Sequence, residues 1–142
     1  AAQGLLVAGV AQFAANYAAG TWLVFAGLAV VAGISFAAVT QALVAVLGGA
    51  GRGVSTLVGV LAVATGIVST IPGILASVAG VMPTSPAYTA LLAAITPAGG
   101  VGAGLAGMIV WAALAFVATT IAVARRRTAN ARTLLAASPA LV

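Results

Sequence analysis

Side chains that perform acid–base, metal or nucleophilic chemistry are almost absent from this sequence. Its 142 residues include no aspartate, glutamate, histidine or cysteine, and all five of its positive charges are arginines. General acid–base catalysis and metal binding therefore lack their usual groups. Without lysine, there is also no phosphate-binding loop of the Gly-Lys-Ser/Thr type. The sequence predicts a protein that is not an enzyme and that has no cofactor or metal.

The amide side chains form the most polar uncharged set. Gln12 and Asn16 lie four residues apart and so share one helix face, whereas Gln41 lies in a later apolar segment. One interpretation is hydrogen bonding between helices, worth about 1 kcal/mol or less per contact. The alternative is that Gln12, Asn16 and Gln41 line a polar path or cleft. The hydroxyl residues of the same polar set are Ser35, Thr40, Thr65, Ser69, Thr70, Thr119 and Thr120.

Composition determines the class of protein. Charged residues make up 4% of the chain, whereas soluble domains carry about 25%. Apolar residues make up 64%, and the mean hydropathy is +1.32. These values exclude a soluble domain and a disordered chain, and they indicate an integral membrane protein. The isoelectric point near 11.8 does not indicate nucleic-acid binding, because four arginines follow one long apolar run, as at the cytoplasmic end of a membrane helix.

Four apolar segments are long enough to span a bilayer, which requires about 20 residues at 1.5 Å each. The predicted fold is an all-α integral membrane domain over residues 1–127, followed by a cytoplasmic tail over residues 128–142. The four predicted transmembrane helices cover about 2–19, 21–47, 54–71 and 101–124.

Glycine and proline separate these spans. A tight turn is predicted from Asn16 to Thr21, and an inner loop is predicted at Gly48–Gly53 around Arg52. Residues 72–100 form a proline-rich outer hairpin, because proline restricts helix continuation. The stretch between its last two prolines is too short to span, so a re-entrant or interfacial helix is predicted before the last span. The hairpin residues of interest are Pro72, Pro83, Pro86 and Tyr88.

The arginines set the predicted orientation. If the cluster at 125–127 is cytoplasmic, alternation of the spans places Arg52 on the same side, as the preference for basic cytoplasmic loops requires. Contact with a cytoplasmic partner or a lipid phosphate is the alternative role for Arg52. We therefore expect a multi-pass protein of the bacterial plasma membrane with a cytoplasmic C-terminus. The arginines that carry this orientation are Arg52, Arg125, Arg126 and Arg127.

Small residues recur at four-residue spacing, which lets helix backbones approach closely. The pattern favours a compact bundle that packs against further helices, so a homodimer or other membrane subunits are the expected partners, together with the lipid bilayer. The spaced sets are Ala11, Ala15 and Ala19; Ala29 and Gly33; Ala62 and Gly66; Gly100 and Gly104; Ala103 and Gly107.

Two stretches resemble the membrane region of the phage infection protein (YhgE/Pip) family. SFAAVTQALVAVLGGAGRG resembles a family span that ends in F-A-x-x-x-x-x-L before a glycine-rich inner loop with a basic residue. IPGILASVAGVMPTSPAYTALLAAIT resembles the outer segment, with Pro72 and Pro83 at its two proline positions, and the last span ends in RRR as in the family. Two features depart from the family. ATGIVSTIP stands where the family often has a Gly-Gly-x-Tyr/Phe-Pro motif. Thr89 and Leu92 stand near the places where the family often has an acidic residue and an arginine in the outer helix.

The resemblance implies a fold similar to type-two ABC exporter permease domains, which have six spans. This chain would be the last four spans of a longer protein with a large extracellular domain. The implied role is export or secretion, or a membrane anchor of the phage-receptor type. The alternative is a structural accessory subunit of a larger membrane complex without its own transport path. An ATPase subunit is a less favoured partner, because the expected cytoplasmic surface is small.

Overall fold

The computed structural model describes residues 1–67, 77, 80–97 and 99–137, and of these it describes the backbone alone for 61–67 and 129–137. Pro72 and the predicted end of the third span at residue 71 lie outside the described residues. The described chain is all-helical. Its helices are α1 (Ala2–Ala15), α2 (Ala19–Leu47), α3 (Gly49–Ile67), α4 (Thr84–Ile95) and α5 (Val101–Ala137).

Two of the described helices are long and apolar enough to cross a membrane. They are α2, over its whole length, and α5 from Val101 to Thr128, with mean hydropathies of 2.3 and 2.1. α2 has 29 residues, or about 44 Å at 1.5 Å per residue. This length exceeds the hydrocarbon thickness of about 30 Å, and a span of this length tilts or projects from a bilayer. The predicted second and fourth spans correspond to these two helices.

The first predicted span, at about 2–19, contains α1. α1 has 14 residues, or about 21 Å, which is less than the hydrocarbon thickness of about 30 Å. It ends because Asn16 adopts the left-handed conformation, with φ 49° and ψ 53°, which asparagine tolerates better than most residues. The turn before α2 is accordingly shorter than predicted, because α2 begins at Ala19.

The connection between α2 and α3 is a single residue, Gly48, with φ 64° and ψ −133°. Only glycine adopts this backbone conformation without strain. α3 begins at Gly49, so Arg52 lies in the first turn of a helix rather than in the predicted loop. The physical reason is packing: a Cβ at Gly51 would collide with the backbone of Leu43 and Val44. Glycine therefore allows α3 to begin tightly against the last turns of α2.

α2 is central among the described helices, and the other four named above all contact it. α1 and α2 are antiparallel, since Gly4 packs on Ala29 and Trp22 bonds to Ala8. α2 and α5 are parallel, since Ser35 meets Met108 and Gly48 lies beside Arg126 further along both helices. A parallel direction for these two helices is what the predicted topology requires.

α4 is a half-length helix that lies against both α2 and α5. Its 12 residues extend about 18 Å, and it follows Pro83, with Pro86 in its first turn, where a missing N–H costs nothing. Gly99 and Gly100, with φ 68° and 102°, reverse the chain into α5. The helix predicted between Pro86 and Pro97 is therefore present, and it begins three residues earlier, at Thr84. The core beneath it consists of Leu28, Ala32, Ala87, Ala90 and Met108.

Candidate functional site

The polar residues predicted to form a path do not come together. Gln12 donates from Nε2 to the carbonyl oxygen of Tyr17 at 3.1 Å, and Asn16 donates its backbone N–H to the carbonyl oxygen of Gln12 at 2.8 Å. Both residues belong to the α1–α2 turn. Gln41 is exposed on α2, 22 residues after the start of that helix, or about 33 Å along it. Gln12 and Asn16 thus form one local cluster, and Gln41 is separate.

The side-chain carbonyl oxygen of Gln12 is unusual. Oε1 is buried and accepts no hydrogen bond from any group in the described part of the chain. A buried carbonyl oxygen without a donor costs about 1–3 kcal/mol. The amide therefore stabilises the turn through Nε2 alone.

Ser35 is the polar link between the two long helices. Its Oγ donates to the carbonyl oxygen of Met108 at 3.1 Å. Ser35 is 1% exposed and Met108 is 0% exposed. Among the described residues, Ser35 is the one buried polar side chain. The sequence placed Ser35 in the polar set, but its partner is a backbone carbonyl 73 residues away, which no side-chain pattern indicates.

Two of the remaining hydroxyl groups of this set, those of Thr119 and Thr120, bond within their own helix. Thr119 donates to the carbonyl oxygen of Ala115 at 2.8 Å and Thr120 to that of Val117 at 2.8 Å. Such bonds satisfy the hydroxyl in an apolar environment without linking helices. Thr40 is exposed. Ser69 and Thr70 lie outside the described residues, as does the side chain of Thr65.

Aromatic side chains fasten α1 to α2. The Trp22 indole Nε1–H donates to the carbonyl oxygen of Ala8 at 3.0 Å. Tyr17 stacks on Phe25 with ring centroids 6.4 Å apart and an interplanar angle of 27°. Below them, Ala8, Phe25 and Ala26 form a second buried cluster. The aromatic residues at this end therefore hold helices together.

Close helix contact in the α4–α5 hairpin depends on glycine. A Cβ at Gly104 would stand 2.6 Å from both the carbonyl oxygen of Pro86 and the Cβ of Ala90. A Cβ at Gly107 would stand 2.5 Å from the Cβ of Pro86. Such distances are shorter than van der Waals contact, so glycine is required. The predicted role of Gly104 in close packing is confirmed.

The other spaced small residues divide between contact and exposure. Ala29 and Gly33 face α1, where Gly4 packs against Ala29, and Ala11 packs beside the second cluster. Ala15, Ala19 and Ala103 are exposed. The spacing therefore marks helix contacts at some positions, such as Ala29 and Gly33, and exposed positions at others.

The residues of the predicted outer hairpin also divide between buried and exposed positions. Pro83 is buried and Pro86 is half-buried, whereas Tyr88 is 66% exposed. Between α4 and α5, on the side of Pro86, is an open cavity of about 370 Å³ with Ser85, Thr89 and Trp111 among its lining residues. This cavity holds hydroxyl groups but no charged group.

Two neighbouring cavities lie between α2 and α5, and we call them together the α2–α5 groove. The first has a volume of about 280 Å³ and is lined by apolar side chains, including Leu43, Leu114 and Ala118, and by Trp111. The second has a volume of about 240 Å³ and is lined by Ala45, Val46, Ile121, Ala122, Arg125 and Arg126. Val46 lines both cavities. The α2–α5 groove thus runs from an apolar end to a basic end.

The arginines of the described side chains are all exposed. Arg52 lies in the first turn of α3, and Arg125, Arg126 and Arg127 continue α5 beyond its apolar stretch. The Nη2 atom of Arg126 lies 3.9 Å from the position that a Cβ on Gly48 would take. Arg126 therefore reaches the C-terminal end of α2.

No protein-family model, no curated protein and no solved structure matches the chain. The resemblance to the YhgE/Pip family stays a prediction from the quoted residues.

Proposed function

We propose that this chain is a multi-pass membrane domain of a bacterial plasma-membrane protein, with α2 and α5 as parallel spans. The exposure of its apolar residues supports this location. Phe13 is 95% exposed, Leu6 70% and Phe116 69%. Only 11% of the most apolar 18-residue stretch of α5 is buried within the chain. A core helix of a soluble protein is buried over most of its surface, so lipid or further helices must cover α5.

The proposed role is that of a membrane domain in export or secretion, of the exporter-permease-like YhgE/Pip type. The observation that carries this proposal is α4, which is too short to span and which packs between α2 and α5 immediately before the last span. A broken outer hairpin at this place is what the resemblance implies for exporter permeases. Gly104 and Gly107 allow the close approach that holds α4 against α5.

The domain works in an assembly rather than alone. The apolar faces of α1, α2 and α5 suit a second copy of the chain or other membrane subunits, in addition to lipid. An ATPase subunit is the less favoured partner. The inner surface that the described residues offer consists of the single-residue connection at Gly48, the first turn of α3 and the basic part of α5.

A structural accessory subunit is the second candidate function. The observation in its favour is the separation of the amide side chains: Gln12 bonds within a turn, and Gln41 is exposed far along α2. A transport path built from this chain alone would need polar groups along one cleft. In this second proposal, the chain contributes packing surfaces to a larger complex.

Two measurements test the two candidates: isolation of the natural protein with its subunits, and a comparison of cells that carry two glycine variants. The protein is first isolated from membranes in mild detergent, with intact mass and co-purified subunits measured by mass spectrometry. Cells that carry a Gly104→Leu variant, in which α4 is displaced from α5, are compared with cells that carry Gly102→Leu, since a Cβ at Gly102 meets nothing within 4 Å.

Export predicts that a secreted component disappears from the outside of Gly104→Leu cells and accumulates inside them. An accessory role predicts that the co-purified complex dissociates without such accumulation. Recovery of the protein in the soluble fraction would reject both candidates.

A further inference from the structure

The basic end of the α2–α5 groove holds positive charge that the chain itself does not neutralise. Arg125 and Arg126 line the second cavity, and the sequence has no aspartate or glutamate at any position. A guanidinium group presents five N–H donors in a planar fork that matches a phosphate group. The charge at this end therefore calls for an anion that the chain does not supply.

The apolar end of the groove has the character of a binding surface for a hydrocarbon chain. Trp111, Leu114 and Ala118 on α5 face Leu43 and Val46 on α2 across an open space of about 280 Å³. Because α5 is a regular helix, Trp111 lies about 21 Å along it from Arg125. The hydrocarbon part of one leaflet is about 15 Å thick. The length of the groove, measured from the arginines, is therefore at least the hydrocarbon thickness of one leaflet.

We propose that the α2–α5 groove binds one anionic phospholipid of the cytoplasmic leaflet. Its phosphate contacts Arg125 and Arg126, and an acyl chain lies along Val46, Ala118 and Leu114. The inference rests on the membrane location argued under the proposed function, and it adds a specific ligand to it. The cytoplasmic leaflet carries the anionic lipids that attract basic segments at the membrane surface.

The position of Arg126 also explains why this lipid site differs from a general basic surface. Its Nη2 atom approaches Gly48 at the end of α2, where unpaired carbonyls attract a cation. Arg126 therefore lies both along the groove and beside the end of α2, and its N–H donors are available for a phosphate. Arg127 is exposed on the same helix and does not line the groove, so it serves as a matched control.

The test is native mass spectrometry of the delipidated full chain in mild detergent, titrated with dioleoyl phosphatidylglycerol or dioleoyl phosphatidylcholine. We expect tighter binding of phosphatidylglycerol to the wild type. Arg126→Gln should weaken that binding about fivefold, the effect of about one basic residue near an anionic surface. Arg127→Gln, which removes the same charge, should change it less than twofold. Ala118→Leu, which fills the groove, should weaken binding of both lipids.

Free glycerol phosphate separates a lipid site from a simple anion site, and it should not compete with phosphatidylglycerol. Three results would overturn the inference: equal affinity for the two lipids, equal loss in Arg126→Gln and Arg127→Gln, or competition by glycerol phosphate. If Ala118→Leu instead releases a co-purified membrane protein, the groove holds a helix and the lipid assignment is wrong. Failure of the chain to enter membranes would contradict the proposed function, a separate result.

Discussion

The hydroxyl of Ser35 and the carbonyl oxygen of Met108 are joined by a buried 3.1 Å hydrogen bond between α2 and α5. Both residues are almost completely buried, and neighbouring alanines allow the helices to approach. The bond fixes the register of α2 and α5, two parallel helices between which α3 and α4 lie in the sequence. It is thus the clearest target for testing how the bundle is held together.

Ser35→Ala should lower the free energy of unfolding by about 0.6–1.7 kcal/mol, the range for a single hydrogen bond between membrane helices. Ser55→Ala is the control, because Ser55 is half-buried and donates to Gly51 of its own helix at 2.8 Å. Unfolding by increasing sodium dodecyl sulfate in mixed micelles, followed by circular dichroism, measures both. A loss for Ser55→Ala as large as that for Ser35→Ala would contradict a special role for the α2–α5 bond.

Gly104→Ala should destabilise the chain by about 1–3 kcal/mol, because the added methyl group overpacks the contact with α4. On the same helix, a Cβ at Gly102 meets nothing within 4 Å. Gly102→Ala should therefore be neutral or stabilising by up to about 1 kcal/mol, from helix propensity alone. The same detergent titration compares the two variants, and similar effects would show that α4 does not pack closely on Gly104.

Asn16→Val should destabilise the α1–α2 turn by about 1–2 kcal/mol, since the left-handed conformation places the Cβ of an L-residue against the backbone. Asn16→Gly should have little effect, because glycine adopts φ 49° freely. The difference between these two variants isolates the backbone term. Equal stability of Asn16→Val and Asn16→Gly in thermal unfolding would contradict the observed turn.

The sequence predicted the parts of the fold that follow from composition and punctuation. The long apolar runs predicted α2 and α5, because an apolar run of this length with few charges is typical of a membrane-spanning helix. Pro86 and Pro97 indicated a short helix, and the helix includes Pro86, because proline is tolerated in a first helical turn and disfavoured in a helix interior. These features depend on local chemistry, so they are visible without the structure.

Tertiary contacts determined what the sequence did not predict. Glycines at 49, 51 and 53 indicate a loop by propensity, yet α3 begins there because Gly51 fits against the end of α2. The turn predicted from Asn16 is present, but the left-handed conformation of Asn16 that ends α1 is not visible in the apolar pattern. The separation of Gln41 from Gln12 likewise follows only from the helix arrangement.

The topology is the central claim, and cysteine labelling in intact bacteria tests it most directly. The chain has no cysteine, so each variant carries one thiol. The chosen positions are exposed at the ends of the helices, and the variants are Ala18→Cys, Gly49→Cys, Pro97→Cys and Thr128→Cys.

We predict that a membrane-impermeant maleimide labels the variants at 18 and 97 in intact cells, and those at 49 and 128 only after the membrane is opened. Labelling of 18 and 49 from the same side, or of 97 and 128 from the same side, would contradict α2 or α5 as a membrane span.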